Sequence, residues 1–278
     1  MNYLDQDERF SPQVVENLQK LIEKKRSQRD IAEAFVNPIL REDIFALLGR
    51  ECIVIYYPLP DEENDGFHIQ MPVNGGKQHF VYINTEKPMP KQVYAAAHEL
   101  GHIWTENGHA IGYSASSQAQ EDALMNRFAA ELLMPDKGFR ILAQKKLIEY
   151  QSEPGKISED NFFRVAACLM DEYFVPFQAV VRRMGEVDLL TNEACKHIII
   201  DLYKNNPNGD QLLKDCINEG GFPKLLEQSK KRSMTGFTDL LNRAAEEGIF
   251  GEEKISYLRN QLNIPKVEDS GNTITIGT

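Results

Sequence analysis

The sequence predicts an α+β fold, mainly helical, in which one small sheet packs on a single motif-bearing helix. Three observations predict it. Apolar residues recur with helical periodicity at the start of the chain and again after residue 90. β-Branched and aromatic runs are confined to residues 51–84. A strong hairpin signal, Asn74-Gly75-Gly76, separates two of those runs.

Taken in order, residues 12–26 place Val15, Leu18, Leu21 and Ile22 on one helical face, with Ser11 and Pro12 at the start. Further helices are expected over 28–35 and 40–48, the latter stopping near Gly49. The run 52–57 (CIVIYY) ends at Pro58 and reads as a buried strand. Residues 61–66 form a loop, and 67–73 and 78–84 form two more strands. The pattern returns to helix over 91–105 and 118–134, the second ending at Pro135. Helices over 137–150, 158–173 and 176–184 close this part. Beyond about residue 190 the sequence is helical but punctuated at 205–209, 220–223 and 248–251, and the final dozen residues are expected to fray. We therefore expect two regions. Residues 1–190 hold N-terminal helices (11–49), the sheet (51–84), a helix pair (91–135) and closing helices (137–190), and 191–278 form a C-terminal helical region with a flexible tail.

The 278 residues carry 31 Lys and Arg against 42 Asp and Glu, a formal net charge of −11. That balance argues against binding nucleic acid over a broad basic surface. The opening MNYLDQDERFSPQ has acids where a secretory signal needs bases, and no apolar run approaches the roughly 20 residues that cross a bilayer. The four cysteines form no CxxC pair and read as reduced thiols. A cytoplasmic protein without membrane contact is the expectation.

His98-Glu99-Leu100-Gly101-His102 is an HExxH motif on an expected helix. Residues four apart share one helix face, so both imidazoles can address one cation, and Glu99 projects beside them to take a proton from water. Surface histidines on an amphipathic helix would be the plainer reading. Against it, Val93, Ala95, Ala96, Ala97, Leu100, Ile103 and Trp104 make the helix largely buried, and buried ionisable groups need partners. Tetrahedral Zn²⁺ needs a third protein ligand, and the next helix offers Glu121 and Asp122. Glu121 lies with Met125, Phe128 and Leu132 at the middle of the apolar face, whereas Asp122 lies with Asn126, Ala129 and Leu133 at its margin. Helix geometry does not choose between them.

The segment FVYINTEKPMPKQVYAAAHELGHIW, followed by EDALMNRFAAELLMP, resembles the ImmA/IrrE family of metallopeptidases, and YFVPFQAVVRRMGEVDLL is similar to that family's closing helical element. The resemblance covers residues 10–190 and implies a zincin-like fold. It also implies a zinc metalloendopeptidase with His98, His102 and Asp122 as metal ligands and Glu99 as the catalytic carboxylate. Asp122 stands four residues before Asn126, where the family usually carries Glu, so Glu121 stays open as the alternative ligand. Asn126 matches a residue that orients a ligand histidine. By the same resemblance the substrate is a helix-turn-helix repressor, whose cleavage relieves repression of phage, mobile-element or stress genes. A zinc-containing regulator that sequesters a repressor without cutting it is the alternative. A DNA-binding protein using residues 28–49 fits the acidic balance poorly.

Other polar residues carry weaker expectations. His109 and Tyr113 follow the motif helix and read as a solvent-facing loop pair, with a hydrogen bond to an oxyanion as the alternative. His68 and His79 read as surface or cross-strand residues, and His197 as a cap or packing residue. The strand 80–84 runs straight into the motif helix and is expected to offer an edge that holds an extended peptide. Residues 191–278 carry no catalytic motif and are expected to set target choice or hold the peptidase inactive.

Overall fold

A computed structural model describes residues 10–27, 39–60, 64–73 and 76–262. The expected helix over 28–35, the hairpin residues Asn74 and Gly75, and the tail beyond 262 lie outside the described residues.

Helix α1 (Pro12–Arg26) starts where Ser11 Oγ accepts a hydrogen bond from Val14 N, and it buries Leu18 and Ile22. A 3₁₀ turn (Arg41–Asp43) leads into α2 (Ile44–Glu51), which buries Ile44, Leu47 and Leu48. Three strands follow: β1 (Ile53–Tyr57), β2 (Gly66–Val73) and β3 (Gly76–Asn84). A fourth, β4 (Ser233–Met234), comes from far along the chain, and the sheet order is β2-β3-β1-β4. β1 runs parallel to β3, with Ile53 opposite Phe80 and Tyr57 opposite Asn84, while β2 pairs antiparallel with β3 from Gly66↔Ile83 to Val73↔Gly76.

This order corrects one expectation. The segment 80–84 is paired with β1 on one side and with β2 on the other, so it offers no edge. Its apolar run Val81-Tyr82-Ile83 is buried because it is an interior strand. The edge beside the motif helix is β2.

Helix α3 (Met89–Thr105) packs against the sheet with Ala95 facing Gly66, and Ala95, Ala96 and Ala97 are all fully buried. These small side chains let sheet and helix approach closely. A Cβ on Gly66 would stand 2.8 Å from Tyr82 O and 3.5 Å from Ala95 Cβ. A 3₁₀ turn (His109–Ile111) precedes α4 (Gln118–Leu133), whose N-terminus is capped by Ser117. Then come α5 (Asp136–Tyr150), α6 (Glu159–Tyr173), α7 (Phe177–Glu186), α8 (Asn192–Lys196), a π-helical stretch (His197–Lys204), α9 (Gly209–Glu219), α10 (Phe237–Glu246) and α11 (Glu252–Gln261). The architecture is α+β and mainly helical, as expected, and none of the described helices is long and apolar enough to cross a membrane.

A buried ion network ties α1, α4 and α7 together. Arg183 is fully buried; it donates to both carboxylate oxygens of Glu131 at 2.9 Å, to Glu186 at 2.9 Å, and through Nε to Met134 O at 2.9 Å. Arg127 and Gln19 also donate to Glu131. With its charge and hydrogen bonds satisfied, the cluster avoids the penalty of an unpaired buried ion. Residues 227–235 cross back over the sheet: Met89 N donates to Glu227 O, Lys230 N to Thr85 O, and Thr235 N to Val54 O.

Candidate active site

The elements that carry the motif meet at one end of the sheet. On α3, His98 and His102 lie one turn apart with ring centroids separated by 5.2 Å, and α4 brings Asp122 opposite them. One ligand atom from each of His98, His102 and Asp122 lies within 4.8 Å of the others, and this is the group among the described residues that suits a metal ion. Two imidazoles and a carboxylate are the donor set of a three-ligand zinc site with one coordination position left for water. Glu121, the alternative ligand, is placed differently. Its Oε1 lies 3.0 Å from His102 Nδ1, so it approaches that imidazole through the nitrogen that Asn107 also meets.

Each histidine is held by its Nδ1, which leaves Nε2 for a ligand. His98 Nδ1 lies 3.0 Å from Asn126 Oδ1, and Tyr94 OH donates to Asn126 O at 2.9 Å. His102 Nδ1 meets Asn107 Oδ1 at 3.0 Å as well as Glu121. The chain achieves the Asn107 contact through an abrupt stop to α3. Glu106, Asn107 and Gly108 all take left-handed backbone angles, and Asn107 N donates back to His102 O. Partners of this kind fix tautomer and ring orientation. Asp122 is oriented in turn by Gln118, whose Nε2 donates to Oδ1 at 2.9 Å.

The electrostatics follow from burial. Glu99 is 3% exposed, and burial, reinforced by the nearby Asp122 charge, pushes its carboxyl up to about 8. Burial first, then the neighbouring His102, lowers His98 to about 3, a neutral imidazole suited to ligation. Desolvation also lowers His68 to about 4.

A cavity of about 1000 Å³ opens over the site, bounded by α3 and α4 on one side and by the β2–β3 hairpin on the other. Glu99, His98, His102, Asp122 and His109 line it. Tyr113 does not; its ring packs edge-on against Phe10 at 5.5 Å. The hairpin contributes Gln70, Lys77 and the two residues expected to be surface or cross-strand ones, His68 and His79. His68 Nε2 lies 2.7 Å from His79 Nδ1, and the His68 ring stacks at 5.8 Å from His102. The signal that finds them is the strand alternation itself, which places positions 68 and 70 on the opposite face from 67, 69 and 71. His197 lies elsewhere, paired with Asp201 on an exposed helix face. The four cysteines are free thiols, and none lines the cavity.

Comparison with known proteins adds one match. The peptidase M78 model, the IrrE N-terminal-like domain, matches residues 51–184, from the end of α2 into α7. No curated protein and no solved structure matches the chain. The matched span contains the sheet strands β1 to β3, the motif helix and α4, so this part of the chain is similar to the peptidase M78 (IrrE N-terminal-like) domain, which is of metallopeptidase type.

Proposed function

We propose that the chain is a zinc-dependent endopeptidase that acts in the cytoplasm on a helix-turn-helix repressor. The observation that carries the metal chemistry is the convergence of His98, His102 and Asp122 beside the buried Glu99. His98, His102 and Asp122 would hold the ion, and zinc bound there supplies Lewis acidity toward water and a carbonyl oxygen. Glu99 takes a proton from the attacking water and passes it to the leaving amine. A carboxyl held up to about 8 by burial retains a proton at neutral pH, and a cation in the adjacent ligand set opposes that rise, which brings Glu99 toward the range where it exchanges protons both ways. The substrate runs extended along the outer edge of β2, where alternate positions of that strand face the cavity. Residues 1–190 form the peptidase unit and 191–278 influence target choice. The repressor as substrate rests on the family resemblance.

The test is metal analysis of the wild type beside His98→Ala and Asp122→Ala, followed by Glu99→Gln mixed with a small helix-turn-helix protein encoded nearby. The expected results are zinc in the wild type, loss of zinc in the two ligand variants, and zinc without proteolysis in Glu99→Gln. Normal cleavage by Glu99→Gln ends the assigned mechanism. A partner that binds zinc-loaded protein yet never becomes shorter on a gel would identify a sequestering regulator instead.

A further inference from the structure

The β2–β3 hairpin is amphipathic in the opposite sense to an ordinary half-buried strand. Ile69 and Met71 are 47% and 50% exposed, and Phe67, at 45%, packs on Tyr82 beside the cavity, while His68 is half-buried and lines the cavity together with the exposed Gln70. A strand that packs for stability alone buries its apolar row and leaves its polar row to water. Here His68 is turned toward His102 while Ile69 and Met71 stay in solvent, a cost in hydrophobic burial that a structural hairpin has no reason to bear. Within that row, His68 stands nearest the chemistry. Its ring lies nearly parallel to that of His102 at 5.8 Å between centroids, and His79 meets its other side edge-to-edge at 5.0 Å through the hydrogen bond, forming a row of three imidazoles.

We propose that His68 is a catalytic residue that donates a hydrogen bond to the oxygen gaining charge as water adds to the scissile carbonyl, with His79 as its positioning residue. This rests on the peptidase reading above. The geometry specifies the protons. His68 Nε2 is engaged by His79 Nδ1 at 2.7 Å, and Nδ1 is the ring nitrogen of His68 that has no hydrogen bond among the described residues. For His68 to donate to substrate, the Nδ1 atom must carry its proton, and His79 must therefore donate Nδ1–H to His68 Nε2. No proton is transferred; the bond forms as the oxygen becomes anionic, and a preorganised donor strengthens most at that moment. Two amides on the cavity wall are already engaged. Asn107 is committed to His102 and Gln118 to Asp122.

Two measurements on the full-length, zinc-loaded protein test this without knowledge of the substrate. The first is the tautomer of His68 and His79 from imidazole nitrogen resonances, expected to show the proton on Nδ1 in both rings. The second is the affinity for acetohydroxamate, a small chelating probe with no peptide sequence requirement and an anionic oxygen. With zinc content unchanged, His68→Ala is expected to bind it roughly 10- to 100-fold more weakly, the worth of one hydrogen bond to a charged group. His79→Ala should lose part of that affinity, and His79→Gln, which keeps a donor for His68 Nε2, should restore it. A proton on His68 Nε2, wild-type affinity in His68→Ala, or loss of zinc from that variant overturns the proposal. Failure of the peptidase reading looks different: zinc absent from the wild type, or cleavage persisting in Glu99→Gln.

Discussion

At the scale of single residues, the geometry separates the side chains that face the shared ligand position from those that aim them. His98 and His102 offer Nε2 because Nδ1 is engaged, by Asn126 in one case and by Asn107 with Glu121 in the other. We predict that Asn126→Ala weakens zinc binding by about 10- to 100-fold, the usual effect of deleting a ligand's orienting partner, while His98 itself remains. Competition with a chelator of known affinity measures it. Unchanged affinity would mean that packing of α3 alone aims His98. Glu121→Gln, with one acceptor oxygen retained, should lose less. Much of this was legible in the chain: the i, i+4 spacing puts His98 and His102 on one face, and Asp122 and Asn126 share a face of the next helix. The role of Glu121 was not, because helix geometry gives its direction around α4 and not the position of α3 relative to it. His68 was missed for a related reason. Strand alternation sets His68 beside His79 across the hairpin, as expected, but does not say which face of the hairpin meets the motif helix.

At the scale of elements, the distance between α3 and α4 sets whether Asp122 reaches the histidines. Asp is one methylene shorter than Glu, and the two helices pack closely at Gly101. A Cβ built there would stand 2.9 Å from Phe128 Cδ1 and 3.0 Å from Met125 Sδ, so any side chain must push the helices apart or displace a fully buried ring. Gly101→Ala is expected to lower unfolding stability by roughly 1–3 kcal/mol, the range for overpacking a core, and to weaken zinc binding because Asp122 recedes. Denaturant titration and metal affinity read the two effects separately; an affinity unchanged despite lost stability would show that Asp122 follows α3 when the helices separate. The helices themselves were legible from periodicity and from Pro135. Their separation was not, since Gly101 reads in the sequence as an ordinary position between the motif residues.

At the scale of the whole molecule, the chain beyond residue 190 reaches back to the sheet and to the start of the motif helix. Helical patterning described most of it, but β4 is only two residues long and carries no strand periodicity, so its pairing with β1 was not legible. The consequence concerns α3. That helix begins after Pro88 with no side-chain cap, and the carbonyl of Glu227 accepts the hydrogen bond from Met89 N instead. Ser229 Oγ donates to Gln92 Oε1, Thr85 Oγ1 to Lys231 O, and Lys231 Nζ sits 4.2 Å above the Tyr56 ring. Residues 227–235 therefore hold the start of the motif helix and the free side of β1. Truncation after Leu226 removes these bonds at about 1 kcal/mol each, so we expect a loss of a few kcal/mol in unfolding stability. Zinc stoichiometry should survive, because His98 and His102 lie more than two turns from the helix start. Hydrogen exchange should locate the damage, with protection falling at residues 85–93 and holding near His98. Full protection at Met89 in the truncated chain would show that the interior of α3, packed on the sheet, suffices to hold its own first turn.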